Sequence, residues 1–228
     1  MNCLKAEIKP DSFVRSIKYA GVVVLNITLK NFSIKSPSEK GTKNINNELA
    51  KQKQAFLGNA LFYLLPQAIE GYKYAQKNGY PFNFYEAYMQ YTDTFNKNCL
   101  LSFYYDNYTF TGGAHGNTVR LANTFNLIDG ANLPLSAFFK KGSDYKAKLL
   151  KNISVQAHKN YTENPNIYFE DYHELITKYF NEKSFYLTKD GLVIYYGQYD
   201  IGPYSSGIQE FLIPYSELDF PPTCEFWC

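Results

Sequence analysis

The sequence predicts an α+β fold, with mainly antiparallel sheets packed with one long N-terminal helix and one or two C-terminal helices. Three observations predict it. Leu25 to Ile34 shows the every-second-residue apolar alternation of a half-buried strand, and Phe185 to Tyr196 reads as a hairpin turning at Asp190-Gly191. Ile45 to about Asn78 carries an apolar face at helical spacing. The order runs strand, long helix, strands, helices, strands, which suits antiparallel sheets with segregated helices rather than alternating βα units.

Taken in order, Val14 to Ile34 reads as one or two strands, with a one-residue slip in the alternation after Leu29. Ser36-Pro-Ser-Glu-Lys-Gly41 reads as a turn. The long helix follows. Asn46 or Asn47 is its expected cap, Pro66 should kink or divide it, and Asn78-Gly79 should end it. Phe82 to Phe95 is aromatic and favours strand. Lys97 to Thr109 and Val119 to Leu127 are strands joined across Thr111 to Asn117. Asp129-Gly130 marks a turn, and a short helix begins near Ser136. Tyr145 to about Thr162 is an amphipathic helix with Ser143 as its expected N-cap. Asp171 to Phe180 is a further short helix, and Phe185 to Tyr196 is a hairpin with Asp190-Gly191 at its tip. Ile208 to Pro214 is the last long strand, before an irregular tail. A division falls at 1–97 and 98–228, the two parts packed as one unit.

Composition narrows the function. The 228 residues suffice for a core without metal or disulfide support. A net charge of +2, spread along the chain, excludes the concentrated basic footprint of a nucleic-acid binder. No apolar run is long enough to span a bilayer. The N-terminus lacks the apolar segment of a secretion signal, which read literally means a cytoplasmic protein; a chain trimmed of its signal or anchor is the alternative. Four cysteines allow three full pairings. Cys99 lies in an apolar run and reads as a free core thiol. Cys3, Cys224 and Cys228 sit at the chain ends. A bridge from Cys3 to Cys224 or Cys228, or a local Cys224–Cys228 bridge, is equally open.

Two loops carry the candidate site. In Thr111-Gly-Gly-Ala-His-Gly-Asn117, Gly112, Gly113 and Gly116 permit positive φ and close approach, and His115 and Asn117 offer polar contacts to a ligand. The alternative is a hairpin loop shaped by its glycines, with His115 packing locally. In Tyr199-Asp-Ile-Gly-Pro-Tyr204, Gly202-Pro203 forces a turn, and Tyr199 and Tyr204 either flank a groove or brace a tight connection. Catalytic patterns are missing. Histidines number 3, with His158 and His173 in or near helices and no His-Glu-x-x-His spacing. No Gly-x-Ser-x-Gly elbow occurs. Zinc-binding cysteine spacing is absent too, so neither metal nor cofactor is expected. A carboxylate pair drawn from Glu170, Asp171 and Asp200 is the weak remaining option for hydrolysis.

Phe110 to Asn117, Thr124 to Leu127, Leu133 to Phe139, Phe185 to Tyr204 and Gly207 to Leu218 together resemble the C-terminal domain of the RsiV-like family. The N-terminal strand and long helix resemble the smaller region that precedes it in PdaC-type peptidoglycan deacetylases. The resemblance covers most of the chain. It implies an extracytoplasmic place in the cell envelope, where the RsiV domain binds lysozyme. The expected partners are therefore lysozyme or another envelope protein, or peptidoglycan fragments. The transmembrane and sigma-binding segments of the one, and the deacetylase metal motif of the other, are not in this sequence. A non-catalytic recognition module is the expected function, and an accessory or catalytic domain of a cell-wall hydrolase or deacetylase system is the alternative.

Overall fold

The computed structural model describes residues 4–228. Two long strands, β1 (Glu7–Tyr19) and β2 (Val22–Lys35), open the chain as a hairpin. β1 lies at a sheet edge and is mostly exposed, which is where a strand proline such as Pro10 costs least. β2 is central. It pairs with a later strand in parallel from Leu25↔Tyr85 to Lys30↔Gln90, and the slip in its alternation falls where that pairing ends. Phe32 and Ile34 then turn into the core instead.

The long helix starts earlier than its periodicity suggests. α1 (Glu39–Asn59) is capped by Ser38, whose side chain accepts from Gly41 N–H, so Asn46 and Asn47 lie within the helix. Glycine disguised this start as a turn. A Cβ on Gly41 would fall 2.0 Å from the Leu127 carbonyl oxygen, so only glycine lets the first turn pack there. Near Pro66 the chain neither breaks nor stays regular. Ala60–Leu64 forms a π-helical turn, in which Leu65 N–H reaches back to Ala60, and Pro66 sits in the first turn of α2 (Leu65–Asn78). Proline lacks an N–H and crowds the preceding carbonyls; the widened turn accommodates both. Gly79, left-handed at φ 67°, ends the helix.

β3 (Tyr85–Lys97), β4 (Leu100–Phe110) and β5 (Asn117–Asn126) complete a five-stranded sheet in the order β1-β2-β3-β4-β5. This sheet crosses residue 97 through the β3–β4 hairpin. The turn of that hairpin corrects the reading of Cys99. Asn98 and Cys99 both have positive φ, 57° and 62°, as a two-residue turn between twisted strands requires. Cys99 is not a free thiol: it is bonded to Cys228, 129 positions further along the chain, with Cα atoms 5.4 Å apart. Cys228 thus pairs with neither chain-end candidate. Cys224 is also disulfide-bonded; Cys3 lies outside the described residues. The tail is fastened further. Asn98 Nδ2 donates to the Pro222 carbonyl, and Asn126 Nδ2 donates to that of Trp227 at 3.2 Å.

After a 3-10 turn at Leu135–Phe138 come α3 (Tyr145–Glu163) and α4 (Tyr172–Lys178). The cap of α3 is Asp144 rather than Ser143; its carboxylate accepts from Ala147 N–H. A second sheet follows, β6 (Phe185–Leu187), β7 (Gly191–Tyr196) and β8 (Gln209–Pro214), antiparallel throughout. A single turn, α5 (Cys224–Trp227), ends the chain. One core lies between the first sheet and α1, around Leu29, Phe32, Leu49, Phe103 and Phe125. The larger one joins α3 and α4 to the second sheet, around Phe138, Ile153, Ile176, Ile194 and Phe211. The fold is α+β, as the sequence predicts.

Candidate functional site

The two candidate loops meet. The His115 ring stacks on Tyr204, centroids 3.9 Å apart and planes 22° from parallel, and Tyr199 lies 5.8 Å from Tyr204. Three aromatic rings from loops more than eighty residues apart in sequence form one cluster, with His115 exposed and Tyr199 50% exposed. The loops are also tied by backbone: Thr118 N–H donates to Gln198 Oε1 at 2.7 Å.

Local chemistry explains why each loop holds its shape. Gly112 is left-handed at φ +82°, and its carbonyl accepts from Asn83 Nδ2 at 3.2 Å. Gly116 is buried, and a Cβ there would land 2.3 Å from the Tyr108 ring. Gly113 has open space around it and an ordinary φ, so packing does not require its glycine. Asn117 opens β5 opposite Thr109 and lines a depression of about 360 Å³ with Gln198 and Asp200. Tyr199 has φ 67°, a left-handed conformation that a side chain of this size adopts at a cost of ~1–2 kcal/mol. Asp200 offsets part of that cost by accepting from Gly197 N–H at 2.6 Å, which closes the turn. Asp200 therefore braces the loop. His158 and His173 stand elsewhere, on α3 and α4, their rings 6.2 Å apart beside Tyr172. Among the described residues no group of three or more His, Cys, Asp or Glu side chains could hold a metal ion. Nor is any helix among them long and apolar enough to cross a membrane.

Two features escape the sequence reading. The first is Arg120 on β5. Its guanidinium makes two bonds to Asp106, at 2.7 and 2.8 Å, and a third to Glu210 on β8, while stacking 3.6 Å from the centre of the Tyr104 ring. Tyr186 donates to the same Glu210 carboxylate at 2.8 Å, and Tyr195 donates to the Arg120 carbonyl. Burial pulls the Arg120 pKa down, but the Asp106 bonds, with Glu210 adding, outweigh it and raise it overall. This network joins the two sheets. Asp106 sits directly opposite Arg120 across β4 and β5, so the hairpin register would have revealed the pair. The second is a trough between α1 and the open face of β4 and β5. It has no sequence signature, because helix placement creates it.

Residues 136–216 match the family model described as a protein of unknown function, DUF3298, and residues 23–118 match the model described as deacetylase PdaC. The chain thus pairs a PdaC-type region with a DUF3298-type region. The boundary between the matches is informative: His115 and the glycine-rich turn fall inside the first, Tyr199 and Tyr204 inside the second. The aromatic cluster forms where the two regions meet. No curated protein matches the chain. Among solved structures, a DUF3298 family member from Bacteroides fragilis NCTC 9343 superposes with a TM-score of 0.72 at 22% identity, covering 97% of each chain. A DUF3298 family protein from Pseudomonas aeruginosa PAO1 gives 0.62 at 16% identity, covering 96% of each. At such identities the likeness concerns the fold.

Proposed function

We propose that this chain is a non-catalytic recognition module of the cell envelope, acting outside the cytoplasm, and that the His115–Tyr204–Tyr199 cluster is its contact surface for a protein partner such as lysozyme. The observation that carries this reading is the stacking of His115 on Tyr204 across two loops. Exposed Tyr199 and half-buried Tyr204, on braced loops, give contact area with little rotamer freedom to lose, which suits protein recognition. The resemblance to the RsiV-like family, whose domain binds lysozyme, supplies the partner class. The Cys99–Cys228 bond supports the compartment, since structural disulfides persist where the surroundings are oxidising. The PdaC-type match supports an envelope setting.

The test is binding of the purified chain to immobilised lysozyme, with soluble muropeptides as competitors. Saturable binding that weakens in His115→Ala is expected. A folded wild-type chain that fails to bind lysozyme removes the reading. A second reading, an accessory or catalytic part of a hydrolase or deacetylase system, rests on the PdaC match. The described donor set does not fit metal-assisted deacetylation, so that reading predicts turnover of wall material without metal dependence. Loss of such turnover in His115→Ala would favour it.

A further inference from the structure

The trough beside α1 is a site of its own, separate in its residues from the aromatic cluster. It consists of two confluent hollows of about 370 and about 600 Å³, which share Glu48, Gln52, Tyr105 and Leu121. Each is of the size that small-molecule sites usually have, ~300–1,000 Å³. One wall is α1 and the π-helical turn; the floor is the face of β4 and β5 that alternates with the Arg120 face. The trough then wraps over the free edge of β5 toward Asn132 and Leu133.

Its chemistry is unusual for a mere packing defect. Five side-chain amides line it: Gln52, Asn59, Asn107, Asn123 and Asn132. Gln52 Nε2 donates to Asn123 Oδ1 at 2.8 Å, bridging helix to strand and fixing both groups. Asn107 Oδ1 is buried on the floor and has no hydrogen-bond partner. Buried acceptors are almost always satisfied, so a water or a ligand donor belongs there. Tyr105 is 6% exposed, and Phe56 and Leu121 add apolar surface beside the amides.

Two observations select the occupant. The carboxylates along the trough are already paired, Glu48 with Lys51 at 3.3 Å and Glu182 with Lys146 at 2.9 Å, which disfavours a cation; Lys183 on the lining is exposed and solvated, which gives an anion only a screened attraction. An extended peptide would need the free edge of β5 to add a strand, and that edge is closed. Thr124 N–H donates to Asn132 Oδ1, the Thr124 carbonyl accepts from Leu133 N–H at 2.7 Å, and Thr118 N–H is held by Gln198. What remains is a neutral ligand rich in hydroxyl or amide groups, with apolar faces to lie on Leu121 and Phe56. We infer that the trough between α1 and the β4–β5 face binds a neutral oligosaccharide, with Asn107, Gln52 and Asn123 reading its hydroxyl or acetamido groups. The inference does not depend on a protein partner at His115.

The experiment titrates the full chain with chitotetraose, cellotetraose and maltotetraose, following side-chain amide resonances by NMR and heat by calorimetry. Saturable binding of at least one, shifting Asn107 and Gln52, is expected. Asn107→Leu should weaken it roughly tenfold, the equivalent of one lost hydrogen bond, while melting no lower than wild type, because it removes an orphan acceptor. Leu121→Trp, at a site 43% exposed, should block the trough without touching the core, and carries the test if Asn107→Leu fails to fold. His115→Ala should leave sugar binding unchanged. No saturable binding to any of the three sugars overturns the inference. So does binding indifferent to both Asn107→Leu and Leu121→Trp, or binding lost in His115→Ala.

Discussion

The hairpin of β4 and β5 has two faces built from alternating residues, and they differ in kind. On one, Tyr104, Asp106 and Arg120 meet the second sheet, and every charge has a partner. On the other, Tyr105, Asn107, Leu121 and Asn123 face a trough; one amide oxygen has no partner and Leu121 stands in solvent. The same strands thus provide a finished joint on one side and an unfinished surface on the other. A buried polar atom without a protein partner, such as Asn107 Oδ1 beside this open trough, takes its hydrogen bond from a water or a ligand.

The largest break in this comparison is Arg120→Met. It strands Asp106 and Glu210 without their cation, and urea unfolding should show a loss of ~2–4 kcal/mol. Partial exposure of Glu210, 43%, keeps the effect below that of a fully buried pair. A stability within error of wild type would mean that the sheets do not rely on this joint. Arg120→Lys is the milder version. It retains charge but loses the two-pronged bond to Asp106 and the flat stack on Tyr104, for ~1–2 kcal/mol by the same measurement.

Tyrosine ionisation sharpens the comparison from both faces. Burial pushes the hydroxyls of Tyr195, on the joint face, and Tyr105, on the trough face, up to about 12 from the usual 10.0. Both are acids whose folded pKa exceeds the unfolded one. Their contribution is therefore fully present below pH 10 and is lost as pH rises toward about 12, when the unfolded chain ionises first. Urea midpoints measured across that range should fall, and less steeply in Tyr195→Phe and in Tyr105→Phe. A flat profile in wild type contradicts their burial. The smallest effect belongs to Leu121→Ser, next to Arg120 in sequence but on the open face. Its unfolding free energy should stay within ~0.5 kcal/mol of wild type. A loss of the size seen for Arg120→Met would mean that the trough face is part of the core.

Much of this was legible in the sequence, for identifiable reasons. Strands with one buried face announce themselves by alternation, as β2 and β8 do, while β7, buried on both faces, shows itself as an unbroken apolar run after Asp190-Gly191. The long helix showed its apolar face, but its first turn hid behind Gly41, whose close contact with Leu127 is a tertiary fact. The Asn98-Cys99 turn was hidden inside an apolar run, because cysteine in the left-handed region has no compositional signal. Its partner, Cys228, lies 129 residues away, a distance that no local pattern encodes. The two candidate loops stood out by glycine, proline and tyrosine content, yet only the folded chain places His115 on Tyr204. Arg120 and Asn107 were invisible for a shared reason. Their roles depend on which residues face each other across β4 and β5, and on what packs above each face.

The most direct measurement is calorimetric titration of lysozyme with the wild-type chain and with Tyr204→Ala. The account predicts saturable one-to-one binding for wild type, weakened at least roughly tenfold when the ring under His115 is removed, with the unfolding midpoint of the variant close to wild type. Folded wild-type protein that fails to bind, or a Tyr204→Ala variant that binds as tightly as wild type, would contradict it.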